Sequence, residues 1–228
     1  MNSTVSNPGA GREAEAAERP ALLGLLLASG VAGPVLFVVS VLVQGATRPG
    51  YNAWHHPVSD LALGPQGWLQ TATFILTGVL VLAFAAGLRW ALHPGAGATW
   101  APILIGVTGL GLVAAGFFPT DPGLGYPPGA ATTTTVHGTL HLIVSNVGFL
   151  ALIVASFVLA RGFAQTPGGL GWAIYSVLSG VLILVFTVAS SLAAQPDPNA
   201  PFGLAQRLSL FVGLAWIAAV AARQLARA

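Results

Sequence analysis

Two histidines four residues apart, in His137-Gly138-Thr139-Leu140-His141, are the best-spaced pair in this chain for chemistry. On a helix, positions i and i+4 share a face, so two imidazoles placed this way can grip one metal ion, and zinc is the ion they would suit. Ser145 continues that face. A catalytic zinc takes a third protein ligand and keeps one position open for water, and Asp60, Asp121, His55 or His56 could supply the ligand. In such a site His137 and His141 hold the metal, and Asp60 or Asp121 is a further ligand or general base. Ser59 or Arg207 then meets the developing negative charge, as in metal-assisted hydrolysis. Each residue also has a plainer use. Ser59 or Asp60 can cap a helix, while Asp121 before Pro122-Gly123 and Asp197 before Pro198 suit turns. Arg207, about one turn inside the sixth span, can snorkel outward or pair with an outer aspartate.

The elements that must position these residues follow from composition. The chain is 55% hydrophobic and only 6% charged over 228 residues, with a mean hydropathy of +0.80. A soluble domain carries about 25% charged residues, so this chain has too few to cover a water-facing surface and suits a lipid solvent instead. Eight basic against six acidic residues form no stripe for a phosphate backbone, so no nucleic-acid partner is expected. Cysteine is absent, which removes disulfides, thiolate nucleophiles and sulfur-ligated metals together.

Six apolar stretches, at 22–44, 67–88, 101–118, 137–160, 171–193 and 203–222, are long enough to cross a hydrocarbon core as helices. Backbone polar groups cannot go unpaired in lipid, and no stretch shows the alternation of a barrel strand. The expected fold is all-α, a polytopic membrane helix bundle with six transmembrane helices spanning residues 21–228. Residues 1–20 are polar and small and are read as a disordered cytoplasmic tail. Pro34 is expected to kink the first helix, and the pairs Gly111/Ala115, Ser145/Gly148 and Ser176/Gly180 are expected at helix contacts.

An even number of spans places both termini on one side. Arg12, Arg19, Arg89, Arg161, Arg223 and Arg227 share it, and only Arg48 and Arg207 fall on the other. The positive-inside bias makes the majority side cytoplasmic, in a multi-pass protein of the cell membrane whose surroundings are membrane lipids. Tyr51, Trp54, Trp68 and Tyr126 would then mark the outer interface, and Trp90, Trp100 and Trp172 the inner one. The polar residues are divided unevenly: Asp60, Asp121, Asp197 and every histidine except His93 gather at the outer face.

Asn52 with His56-Pro57-Val58-Ser59-Asp60-Leu61, Phe118-Pro119-Thr120-Asp121, and His137-Gly138-Thr139-Leu140-His141 resemble, in order and spacing, the bacterial six-helix membrane proteins grouped as Domain of Unknown Function 998. The resemblance covers most of the chain. It implies a six-helix bundle with Ser59, Asp60, Asp121, His137 and His141 as recurring polar positions, and it implies no reaction. Two function classes remain. In one, an outward-facing polar site, with Asn52, His56 and Arg207 as ligand-binding residues, holds a ligand, lipid headgroup or partner. In the other, the same region is a metal-dependent hydrolase of a lipid or amphiphile, with Ser59, Asp60 and Asp121 in catalytic roles and zinc on His137 and His141. The hydrolase pattern is similar to that of the alkaline ceramidases and adiponectin receptors, but those have seven helices, and the third histidine and the serine here fall elsewhere. A topology reporter fused after Ala228 should read as cytoplasmic; a periplasmic reading would reverse the assignment of the two faces.

Overall fold

The computed structural model describes residues 8–95, 97–193, 197 and 199–228, with side chains from Arg19 onward. Six α-helices follow one another: α1 (Pro8–Thr47), α2 (Gly67–Leu92), α3 (Trp100–Phe117), α4 (Val136–Ala164), α5 (Leu170–Ala193) and α6 (Phe202–Leu225). A short 3₁₀ turn, η1 (Val58–Ala62), lies between α1 and α2. All six α-helices contain stretches long and apolar enough to cross a membrane, and no β-strand is present among the described residues.

Most helix bounds fall within a few residues of the sequence expectation, and the largest difference is at α1. Helix begins at Pro8, so residues 8–20 are helical where a disordered tail is expected, and residues 1–7 lie outside the described residues. The local reason is propensity, since Glu13-Ala14-Glu15-Ala16-Ala17-Glu18 is composed of strong helix formers. Pro20 and Pro34 both lie inside α1. Arg89, Arg161 and Arg223 sit in the last turns of α2, α4 and α6, where a cation complements the negative helix end.

Consecutive helices pack on one another and α6 closes onto α1, giving a closed ring; α6 also meets α2. Close approach depends on small residues. At the α2–α3 contact a Cβ on Gly78 would lie 2.6 Å from the Gly109 carbonyl oxygen, and one on Gly109 would lie 2.9 Å from that of Gly78. At the α3–α4 contact a Cβ on Gly111 would lie 3.2 Å from the Cα of Gly148. Two expected packing positions, Gly111 and Gly148, therefore meet each other. Ser176 instead accepts a 3.0 Å hydrogen bond from the indole N–H of Trp216.

Large apolar side chains on the ring's outer surface stay exposed, as with Leu25 at 69% and Leu150 at 61%, which is what lipid contact requires. The interior holds Leu27, Phe37, Phe84, Trp216 and Ile217 at 0% exposure. Among the described residues, α6 carries no exposed large apolar side chain. At the end that carries the termini, the guanidinium of Arg223 lies over the rings of Phe163 (4.2 Å) and Trp172 (4.8 Å), tying α6 to α4 and α5.

Replacing Gly109 by Val should lower stability by about 1–3 kcal/mol through overpacking of the α2–α3 contact. Gly24→Ala should leave it nearly unchanged, because a Cβ there meets nothing within 4 Å. Thermal unfolding of the two variants in detergent checks both expectations.

Candidate functional site

The site is at the end of the ring away from the termini, where the α1–α2 loop turns inward. Arg207 lies in the second turn of α6 and is only 7% exposed. Its guanidinium donates to the carbonyl oxygens of Ala53 (2.7 Å), His56 (2.9 Å) and Gly203 (2.9 Å), and to the hydroxyl of Tyr51. The expected aspartate partner is replaced by these neutral oxygens, because the loop lays its backbone across the start of α6. The helix's free amides use the same loop: Gly203 N–H donates to His55 O (3.1 Å) and Leu204 N–H to Trp54 O (3.0 Å). Glycine is needed at 203, since a Cβ would collide with His56 O.

Other contacts lock the loop in place. Val58 N–H donates to Gln206 Oε1 at 2.7 Å, and Arg48 donates to Leu63 O and Gln66 O. His56 Nδ1 accepts from Asn52 N–H at 2.9 Å, so the proton belongs on Nε2, which faces Leu124 O at 3.1 Å in the α3–α4 loop. Asn52 Oδ1 accepts from Trp54 N–H at 3.0 Å, making a local turn. Tyr51, His56 and Tyr126 form an aromatic cluster with centroids 5.2–5.5 Å apart. Tyr126 is 4% exposed, so it joins two loops instead of marking a membrane interface; Tyr51 belongs to the same cluster.

This anchoring buries Val58, Ser59, Asp60 and Leu61 in the mouth of the ring. Asp60 is 3% exposed, and its Oδ2 is buried without a hydrogen-bond partner. Burial pushes its carboxyl well above the ordinary carboxylate range, against a smaller opposing pull from Arg207. Asp121 is arranged differently. Its two oxygens accept from Thr135 N–H (2.8 Å) and Thr135 Oγ1 (2.7 Å), which holds its carboxyl below the usual range. Thr135 in turn caps α4 by accepting from Gly138 N–H at 3.1 Å. Asp121 sits so close over that first turn that a Cβ on residue 138 would collide with its carboxylate.

The two histidines of α4 differ in depth. His137 is exposed in the first turn, with its ring 6.0 Å from that of Phe118. His141 is 4% exposed, and its Nδ1 lies 2.7 Å from Phe118 O and 3.2 Å from Ala115 O, so Nδ1 carries the proton. Among the described residues no three His, Asp or Glu side chains come together to hold a metal ion. The described residues therefore give no three-ligand set of the kind the expected zinc site requires.

Two cavities meet at this end. A vestibule of about 520 Å³ is bounded by η1, the α3–α4 loop and the outer turns of α4, α5 and α6. A smaller cavity of about 70 Å³ lies deeper, walled mainly by Val58, Phe74, Leu112, Leu152, Leu210 and Leu214. Ser59, His141, Ser145, Phe149 and Gln206 border both. Of the eight site residues expected from sequence, Ser59, Asp60, Asp121 and His141 line the vestibule, whereas Asn52, His56, Arg207 and His137 do not. Asn52, His56 and Arg207 build the wall from behind. Sequence reasoning missed Gln206, Asn146, and the pair Thr187 and Ser209, whose hydroxyls are 2.7 Å apart across α5 and α6. Their one signal is a polar side chain near the same end of a span. Asp197, exposed on the α5–α6 connection, makes the expected turn, accepting from Asn199 N–H at 2.9 Å.

Architecture and site define a six-helix bundle fit for a multi-pass membrane protein, with a polar vestibule at one end over an apolar interior. The chain belongs to the family described as Protein of unknown function (DUF998), whose profile matches residues 31–223. No curated protein and no solved structure matches it.

Because Asp60 holds its proton more tightly in the folded state than in the unfolded one, its contribution to stability should be fully present below the ordinary carboxylate range. It should fall as pH rises from the ordinary carboxylate range toward the raised value. Asp60→Asn should remove that slope and leave the variant more stable than the parent at alkaline pH. Unfolding midpoints measured across pH for both proteins check the sign.

Proposed function

We propose that this chain is an amphiphile-binding membrane protein, taking the polar head of a lipid or similar molecule in the vestibule and the start of its chain in the deeper cavity. The observation that carries the reading is the shared wall of the two cavities: a polar chamber opens onto an apolar one through Ser59, His141, Ser145, Phe149 and Gln206. The vestibule's volume falls within the roughly 300–1,000 Å³ of small-molecule sites. Its polar side chains are fixed by regular helices and by a loop tied down through Arg207, which favours a preformed site. The vestibule faces away from the cytoplasm in this reading, as supported by the six arginines at the end of the bundle that carries the termini.

Hydrolysis has less behind it. A metal-activated water would need a cluster of ligands, and His137 and His141 are divided between the exposed first turn of α4 and the buried wall. His141 with its Nδ1 held by Phe118 O is suited to orienting a ligand by hydrogen bonding.

Ser145→Phe places a ring where the two cavities join. Native mass spectrometry of protein purified in mild detergent should show a bound amphiphile on the parent and its loss from this variant, with unfolding temperature little changed. Equal occupancy in both proteins, or none in the parent, would count against the proposal.

A further inference from the structure

We infer that the vestibule selects an amphiphile whose headgroup is a positively charged amine, with Asp60 as its counter-ion. This rests on the amphiphile-binding reading and names the ligand's chemical class. The first support is the charge of the walls. Among the described residues, the vestibule is lined by two carboxylates, Asp60 and Asp121, one imidazole, His141, and no arginine or lysine. The other polar lining groups are hydroxyls and amides, such as Ser59, Thr139, Ser145, Asn146 and Gln206, which suit an ammonium's N–H groups or a neighbouring ligand hydroxyl.

The second support is the unfilled demand of Asp60. A buried carboxylate is stable only when its oxygens are satisfied, and here Oδ2 is sealed from solvent without a partner. The residue lies in the vestibule wall, 3% exposed. Arg207 is the cation that acts on it electrostatically, but that guanidinium is committed to three carbonyl oxygens and a phenol. A ligand ammonium against the side of this carboxyl group that lines the vestibule supplies a positive charge and a donor to the group. A phosphate or carboxylate head would instead meet two aspartates with no cation in the wall. Asp121 is more exposed and already engaged by Thr135, so its part is to add negative field at the mouth.

The full chain in an uncharged maltoside detergent, titrated at about pH 9 with octylammonium, 1-octanol and octanoate, tests the inference, since the Asp60 carboxyl is then ionised while an alkyl amine still holds its proton. Calorimetric heats are corrected for uptake by protein-free micelles. Octylammonium should bind at least about tenfold tighter than either of the others, the margin expected of one charge-assisted hydrogen bond. Asp60→Asn should abolish that margin by weakening octylammonium alone. If octanol or octanoate binds the parent protein as tightly as octylammonium, the charge assignment is wrong and the amphiphile pocket stands. If none of the three binds, both fail. The comparison on the parent protein does not depend on how the variant folds, and a variant that weakens all three probes equally would also overturn the counter-ion role.

Discussion

The guanidinium of Arg207 sets the constraint on which the functional end depends. A charge with five N–H donors, one turn inside a helix in an apolar bundle, must find acceptors or leave the interior. The helix itself offers only Gly203 O, so the others come from the α1–α2 loop, whose Ala53 and His56 carbonyls and Tyr51 hydroxyl converge on the same group. Drawing in that backbone gives the free amides at the start of α6 their partners as well. The loop's next residues, Val58 to Leu61, then have nowhere to lie except in the ring's mouth. One buried cation thus turns a connecting loop into a wall.

Satisfying Arg207 with dipoles instead of a carboxylate has an electrostatic result. An Asp60–Arg207 ion pair would have satisfied both groups locally and left Asp121 as the one carboxylate charge in the vestibule wall. With carbonyls in that role, Asp60 retains an unmet requirement while being almost fully buried. Burial without compensation costs stability and moves titration away from ordinary values, and such arrangements concentrate at functional sites. Asp121 shows the contrast within one molecule: its oxygens are filled by Thr135, and its work is to close the first turn of α4.

The spans were legible because lipid leaves so few options: long apolar runs must be helices, and their ends are marked by the return of polar residues. The start of α1 was not, because weak hydropathy and strong helix propensity point in different directions over residues 13–18. Ser59, Asp60, Asp121 and His141 stood out as polar groups near one end of an apolar chain, and they do line the vestibule. Asn52, His56 and Arg207 stood out for the same reason yet serve the backbone, since composition cannot tell a side chain that faces a cavity from one that holds up its wall. For His137 and His141, four-residue spacing fixed a shared helical face but not depth. One turn of α4 carries His137 out of the bundle and His141 into it. Thr187 and Ser209 left little trace, because helical hydroxyls often bond to their own helix, as Ser191 does to Thr187 O at 3.0 Å.

The interior below the site is closely packed. Below the deeper cavity, Leu152 and Leu214 form part of the floor, and the bundle continues toward the termini as a packed core in which Ile105, Trp216, Ile217 and Val220 are fully buried. Glycines hold α2 against α3 and α3 against α4 at backbone contact, so those helices have little freedom to separate without losing close packing. Among the described residues, no acidic side chain lies inside the spans to couple ion movement through that core. In the proposed binding mode, the ligand's apolar part would extend only as far as the space between α3, α4 and α6 permits. Its polar part would lie against η1, where Ser59 and Asp60 sit on the loop that Arg207 anchors and Gln206 of α6 accepts from Val58 N–H.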